Sequence, residues 1–261
     1  MLHYEVRKTA RDSEAKPWLV LIHGLFGSLD NLNGIARSLA NDVNCVLVDL
    51  PNHGLSKTIE LIDYPDINQG LVNMLAELRL ARAHFLGHSL GGKAAMYFAL
   101  HNQAACESLI VADIAPVSYP HRHQAVFEGL QNVDLASVTS RRDALKQLSE
   151  HVKEPPTQQF LLKSLYQHED SWQWRFRVDE IIASYPALID WPSIDEQFTN
   201  PTLFIVGGDS DYVTPDHQAT IRSLFPNVKA KVIHGTGHWL HAEKPTAFNK
   251  IVKDHIQKLS V

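Results

Sequence analysis

The part of this sequence richest in chemistry is a serine set between glycines, Gly87-His88-Ser89-Leu90-Gly91. An apolar run, Ala83–Leu86, precedes it and reads as a strand, and the alanine-rich run Leu90–His101 follows and reads as a helix. A G-x-S-x-G sequence at such a junction is a turn that lifts a hydroxyl above the strand ends. The abrupt reversal drives the central residue into a sparsely populated backbone region, and flanking glycines let strand and helix approach without Cβ clashes. The first helical N–H, that of Leu90, then faces the place where an attacked carbonyl oxygen would become negative.

A serine hydroxyl is a weak nucleophile near neutral pH, so this reading requires a histidine base and a carboxylate that orients it. Among 15 histidines, position selects His238: the stretch KVIHGTGHWLHAEKP reads as a final strand, a loop flexed by Gly235 and Gly237, and a helix from Pro245. His234 at the strand end and His241 near the helix are expected to be structural or at a pocket edge, and Glu243 suits a helix start. For the acid, the chain offers Asp113 at the end of the apolar run Leu109–Ala112, and Asp209 and Asp211 in a glycine-rich turn whose Ser210 could add a hydrogen bond. Either strand end could reach the base. A second oxyanion donor is expected from His23-Gly24-Leu25-Phe26-Gly27, with Leu25 N–H favoured and Phe26 N–H the alternative. Phe26, His88 and Trp239 are candidates to line a substrate pocket. Arg122, in Pro120-His121-Arg122-His123, is either a solvated surface group or a contact for an anionic substrate group. His121 and His123 alone are too sparse for a metal site.

These residues need a scaffold, and the hydropathy pattern supplies one. Short apolar runs at Tyr4–Thr9, Trp18–Ile22, Val43–Val48, Ala83–Leu86, Ser108–Ala112, Leu203–Val206 and Ala230–Ile233 alternate with helical patterns. The helices are expected at Asp30–Ala40, Pro65–Leu80, Leu90–His101, Pro215–Phe225 and Pro245–Leu259. This is the pattern of an α/β fold, a mostly parallel central sheet flanked by helices. The rhythm breaks between residues 117 and 198, where charged helical stretches such as Ser140–Val152 and Gln158–His168 predict an inserted helical cap on a core of 1–116 and 199–261. Trp172, Trp174 and Trp191 in that segment are expected either to pack it or to face a pocket.

Composition narrows the function. At 261 residues and 44% hydrophobic, the chain can bury one large core. A net charge of −5 argues against nucleic-acid binding. The first residues lack the apolar stretch of a signal peptide and no run could span a bilayer, which predicts a soluble cytoplasmic protein that works without a membrane. Cys45 and Cys106 suggest neither a disulfide framework nor a zinc site.

The segments HGLFGSLDNL, DLPNHGLS, GHSLGGKAAM, VADIAPVSY, GGDSDYV and GTGHWLHAEKP together resemble the α/β-hydrolase superfamily and, within it, the bacterial YbfF-like esterases. The resemblance runs along nearly the whole chain. It implies a serine hydrolase of carboxylic esters, or of acyl-CoA thioesters, with a helical cap and neither metal nor organic cofactor. It carries the nucleophile to Ser89 and the base to His238. Many superfamily members place the acid where Asp209 and Asp211 stand, whereas the YbfF-like pattern places it at Asp113, which is preferred here with Asp211 as the alternative. A C–C bond hydrolase of diketone-like metabolites and a non-catalytic small-molecule receptor are the competing readings.

Overall fold

The computed structural model describes residues 1–9, 13–169 and 171–259. In chain order the main elements are β1 (Tyr4–Arg7), β2 (Trp18–Ile22), α1 (Asn33–Ser38), β3 (Asn44–Val48), α2 (Tyr64–Glu77), β4 (Ala83–His88), α3 (Leu90–His101) and β5 (Cys106–Ala112). There follow α4 (Gln124–Asn132), α5 (Arg141–Leu148), α6 (Pro155–Lys163), β6 (Leu165–His168), β7 (Ser171–Trp174) and α7 (Val178–Ile189). The chain closes with β8 (Thr202–Gly207), α8 (Gln218–Leu224), β9 (Val228–Ile233), α9 (Leu240–Glu243) and α10 (Pro245–Gln257).

Seven strands form one sheet in the order β1-β3-β2-β4-β5-β8-β9. Only β1 runs antiparallel to its neighbour. The central strands are apolar on both faces because helices cover both faces. Val20, Ile22, Phe85, Leu109 and Val111 pack against α2, α3 and α8, while Leu19, Leu21, Leu86 and Ile110 pack against α1 and α10. This alternation follows from the two-residue period of a strand. Its functional consequence lies at the carboxyl edge, where the ends of β4, β5 and β8 stand side by side.

The expected strands and the helices expected outside the inserted segment are present, with instructive shifts. The helix expected over Asp30–Ala40 is a 3-10 turn, Leu29–Leu32, followed by the short α1, and Pro215 likewise opens a 3-10 turn ahead of α8. β4 continues through Gly87 and His88, so the strand runs directly into Ser89. The stretch Gln158–His168, expected as one helix, is a correction: α6 ends at Lys163 and β6 pairs antiparallel with β7. Hairpin pairing of Leu165 with Trp174 and Tyr166 with Gln173 buries Leu165 and Trp174 on one side, which overrides the helical tendency of the preceding residues.

Among the described residues, the segment between β5 and β8 contains four helices and a hairpin. It has its own small core of Phe127, Leu148, Leu161, Leu165, Trp174 and Tyr185, into which Phe26 of the β2 loop projects. Main-chain bonds fasten it to the loop after β3: Gly54 N–H donates to Arg175 O at 2.6 Å and Arg177 N–H to Asn52 O at 2.8 Å. Among the described residues, no helix is long and apolar enough to cross a membrane.

Candidate active site

Ser89 occupies the turn from β4 into α3 with φ 54° and ψ −121°, a backbone state that costs a non-glycine residue about 1–3 kcal/mol. Close packing enforces it. A Cβ on Gly87 would lie 2.0 Å from Gly91 O, and one on Gly91 would lie 2.3 Å from Ile22 O, so both flanks of the turn admit only hydrogen. The Ser89 N–H donates to Ala112 O of β5 at 3.0 Å, which fixes the turn against the neighbouring strand.

One strand over, the same device is repeated. Asp113 follows β5 with φ 54°, and its N–H donates to Ile205 O of β8 at 2.9 Å. The side chain is fully buried and accepts three hydrogen bonds: Gly207 N–H to Oδ1 at 3.0 Å, and both Ser210 Oγ–H and His238 Nδ1–H to Oδ2, the latter at 2.7 Å. A carboxylate only accepts, so this network assigns the His238 proton to Nδ1 and leaves Nε2 facing Ser89 Oγ at 2.9 Å. Ser89, His238 and Asp113, the residues singled out in sequence, are thus brought into one hydrogen-bonded line. Asp211, the alternative acid, is not in it: its carboxylate is largely exposed and pairs with Arg122 at 3.1 Å. Asp209 instead contributes its N–H to Thr236 O at 2.9 Å. The loop after β8 supplies donors to Asp113, in Gly207 and Ser210, rather than the acid itself.

The His238 loop is positioned from three sides. A Cβ on Gly207 would lie 2.2 Å from Gly237 O, so glycine there allows the two loops to touch. Glu243 Oε2 accepts the Gly237 N–H at 2.9 Å, which gives the expected helix-start carboxylate a different task. His88 Nε2–H donates to His238 O at 2.8 Å. His88 reaches the cleft wall, but its donor is committed to that carbonyl and its ring packs between His238 and His241 at 4.8 and 4.4 Å. Burial, then the neighbouring His241 and His238, hold its pKa well below the usual imidazole value. His241 is lowered to about 4, chiefly by burial. His88 and His241 are therefore uncharged neighbours of His238 near neutrality, as the expected structural reading of His241 requires.

The two loop candidates for oxyanion donor are separated by their partners. The Phe26 N–H donates to His53 Nε2 at 3.1 Å, and among the described residues nothing accepts from the Leu25 N–H. His53 can accept because its Nδ1–H is turned to Pro51 O, and burial lowers its pKa to about 3. His23 braces the same loop, donating from Nδ1 to Gly24 O at 2.8 Å and accepting Leu50 N–H at Nε2. Leu90 opens α3, where the helix itself provides no acceptor. Leu25 and Leu90 are left as the available pair.

Two cavities meet at Ser89. One, about 40 Å³, lies on the side of Leu25 and Leu90 and is walled by Lys93, Tyr119, Tyr185 and Leu188. The other, about 360 Å³, lies on the side of His238 and is walled by Phe26, Phe160, Trp239 and His241. Arg122 borders both, its guanidinium 4.8 Å from the centre of the Tyr212 ring, which also stacks on His238 at 3.8 Å. Arg122 is thus an exposed surface group that Asp211 and Tyr212 orient. Trp172, Trp174 and Trp191 border neither cavity; Trp174 stacks on Phe176 and Trp191 packs on Tyr64. Among the described residues there is no cluster of His, Cys, Asp and Glu that could hold a metal ion, and His121 and His123 lie instead against Tyr185.

Sequence reasoning missed Tyr212, Tyr119, Tyr185 and Lys93. Tyr212 follows the aspartate turn directly, and an aromatic there is the one local signal that could have placed a ring against the base. Lys93 could have been noticed as a charge on the inner face of an otherwise apolar helix: it is 2% exposed and donates from Nζ to Ile189 O at 2.7 Å and Asp190 O at 2.9 Å.

Comparison with known proteins shows the family. Residues 17–245 match the family model of the alpha/beta hydrolase fold. The chain is 39% identical over 250 residues to the esterase YbfF of Escherichia coli K12, covering 95% of this chain and 96% of that protein. It is 36% identical over 240 residues to the mouse sn-1-specific diacylglycerol lipase ABHD11, covering 89% of this chain and 78% of that one. A solved esterase from a marine microorganism superposes with a TM-score of 0.91 at 30% identity, covering 97% of this chain and 98% of that one. The chain therefore belongs to the α/β-hydrolase family, and its relatives place it among that family's carboxylic ester hydrolases.

Proposed function

We propose that the protein hydrolyses carboxylic esters of short acyl chains through an acyl-enzyme on Ser89. The observation that carries this reading is the unbroken line from Ser89 Oγ through His238 to Asp113, with a cavity on either side of the hydroxyl. His238 Nε2 takes the serine proton as Oγ attacks the ester carbonyl, and Leu25 and Leu90 N–H groups hold the oxygen that becomes negative. Asp113 keeps Nδ1 protonated and stabilises the imidazolium. The imidazolium then protonates the leaving alcohol, so the leaving group must lie on the His238 side, in the larger cavity. The acyl group is left to the small chamber between Leu25 and Lys93. Water, deprotonated by the same imidazole, releases the acid and restores the serine. Thioesters follow the same route with a thiol leaving group.

The segment 117–198 acts as a cap, since α4, α6 and α7 supply Val126, Phe160 and Tyr185 to the cavity walls. The test is a series of p-nitrophenyl esters from acetyl to dodecanoyl. With a chamber of about 40 Å³, kcat/KM is expected to be highest for acetyl to butyryl and to fall at least about tenfold by octanoyl. A rate that climbs through dodecanoyl would reverse the assignment of acyl and leaving-group sides.

A further inference from the structure

Beyond His238 the larger cavity does not end. Phe160 and Trp239, their ring centres 5.5 Å apart and tilted at 36°, His238 and His241 form a saddle shared with a second, wider groove of about 900 Å³. Its walls carry Arg37 from α1, Lys163 from the end of α6 and Arg175 beside the β7 hairpin. Three distant stretches of chain thus turn cations to one groove in a protein whose net charge is −5. Among the described residues none of the three is paired with a carboxylate. Arg175 lies over the Tyr166 ring at 4.9 Å, a contact that orients the guanidinium without neutralising it.

The groove also carries two acids, one fewer than its three cations. Asp30 accepts from Asn33 Nδ2 at 3.0 Å, and Glu243 accepts the Gly237 N–H.

We infer that this groove is a binding site for a phosphate group carried on the leaving alcohol or thiol of the substrate, with Arg37, Lys163 and Arg175 as its cations. The inference rests on the ester-hydrolase reading, because that reading sends the leaving group past His238 and over the Phe160–Trp239 saddle. Phosphate fits better than a carboxylate because its three or more acceptor oxygens can meet cations arriving from separate elements, and arginine forks match them in pairs. The acyl chamber needs no such charge, so selectivity for the anion is confined to the leaving group.

The experiment compares substrates that share a butyryl group: 1-butyrylglycerol against its 3-phosphate, which differ in phosphate alone, and butyryl-pantetheine against butyryl-coenzyme A, which differ in three phosphates and an adenosine. Phosphate is expected to raise kcat/KM about tenfold in at least one pair, chiefly through KM, and the gain should shrink with added salt because Arg37 and Lys163 are exposed. The pair showing the gain identifies whether a glycerol phosphate or a nucleotide thiol is read. The triple variant Arg37→Ala, Lys163→Ala, Arg175→Ala should lose that gain, and Lys163→Glu alone should lose several-fold of it. Both should leave p-nitrophenyl butyrate turnover unchanged. No phosphate gain in either pair, or a gain the triple variant retains, overturns the site. Absence of wild-type turnover on p-nitrophenyl butyrate would instead overturn the ester-hydrolase reading on which the site depends.

Discussion

Ser89 and Asp113 stand at the ends of adjacent strands, both at φ 54°, and each N–H donates to a main-chain carbonyl of the next strand in the sheet. The residues that face them from the inserted segment are fastened in another way. Lys93 reaches up to Ile189 O and Asp190 O, Tyr64 Oη–H donates to Leu188 O, Ser184 Oγ accepts the Ile62 N–H, and Ser164 Oγ–H donates to Phe26 O. The floor of the site is thus set by the sheet ladder, and its roof is joined to the core by single side chains meeting across a seam, beside the two main-chain bonds of Gly54 and Arg177. A floor built on backbone geometry survives exchange of a functional side chain, whereas a roof held by side chains changes shape when one of them is removed.

The largest effect is expected where the floor's chemistry is removed and its geometry kept. Ser89→Ala should lower kcat/KM for p-nitrophenyl butyrate by at least about 10⁴-fold while the thermal midpoint stays within a few degrees of wild type. A folded Ser89→Ala protein with near-normal turnover would show that the hydroxyl is not the nucleophile.

Next comes the acid. Asp113→Asn retains the shape, but its amide presents N–H groups toward Gly207 N–H, Ser210 Oγ–H or His238 Nδ1–H, so one donor must face another and the imidazole tautomer is lost. A fall of about 10³–10⁴-fold in kcat is expected. Asp211→Asn, which alters only an exposed pair with Arg122, should stay within about threefold of wild type. The opposite ranking would move the acid to the β8 loop.

This contrast also explains what could be read in the sequence. Gly87-x-Ser89-x-Gly91 is legible because one backbone turn needs all of its residues within five positions. His238 is legible because its loop is flanked by a strand and Pro245. Asp113 was harder, since Asp211 is equally near a strand end; the choice is made by Gly207 N–H and Ser210, whose partner lies 94 and 97 residues away. The tasks of Lys93, Tyr119 and Tyr212 depend on contacts between segments that the sequence separates, so the inner-face charge of Lys93 and the aromatic after the aspartate turn are only local hints of them. The same reason hid the β6–β7 hairpin, which is stabilised by Trp174 burying itself in the inserted segment's core rather than by any local preference.

The smallest expected effect concerns the roof at Lys93. Its ammonium sits at the carboxyl end of α7, where helix carbonyls favour a cation, and 5.0 Å from the centre of the Tyr119 ring. Burial nonetheless pushes its pKa down to about 7, with Asp190 opposing. The sign follows from proton counts: an unfolded lysine stays protonated to about pH 10.4, whereas the folded one releases its proton near 7. Between these values the unfolded state holds more protons, so this group adds stability as pH rises. Lys93→Met abolishes that gain and leaves Ile189 O and Asp190 O without their donor, at a cost of about 1–3 kcal/mol each if no water replaces it. The thermal midpoint of Lys93→Met should therefore lie below wild type, and the gap should widen by a few degrees from pH 7 to pH 9. Because the carbonyls it held adjoin Leu188 and Ile189 of the acyl chamber, the variant should also raise the ratio of octanoyl to butyryl turnover about threefold. A gap that stays constant with pH, together with an unchanged chain-length ratio, would show that the roof is held by Tyr64, Ser184 and Ser164 without help from Lys93.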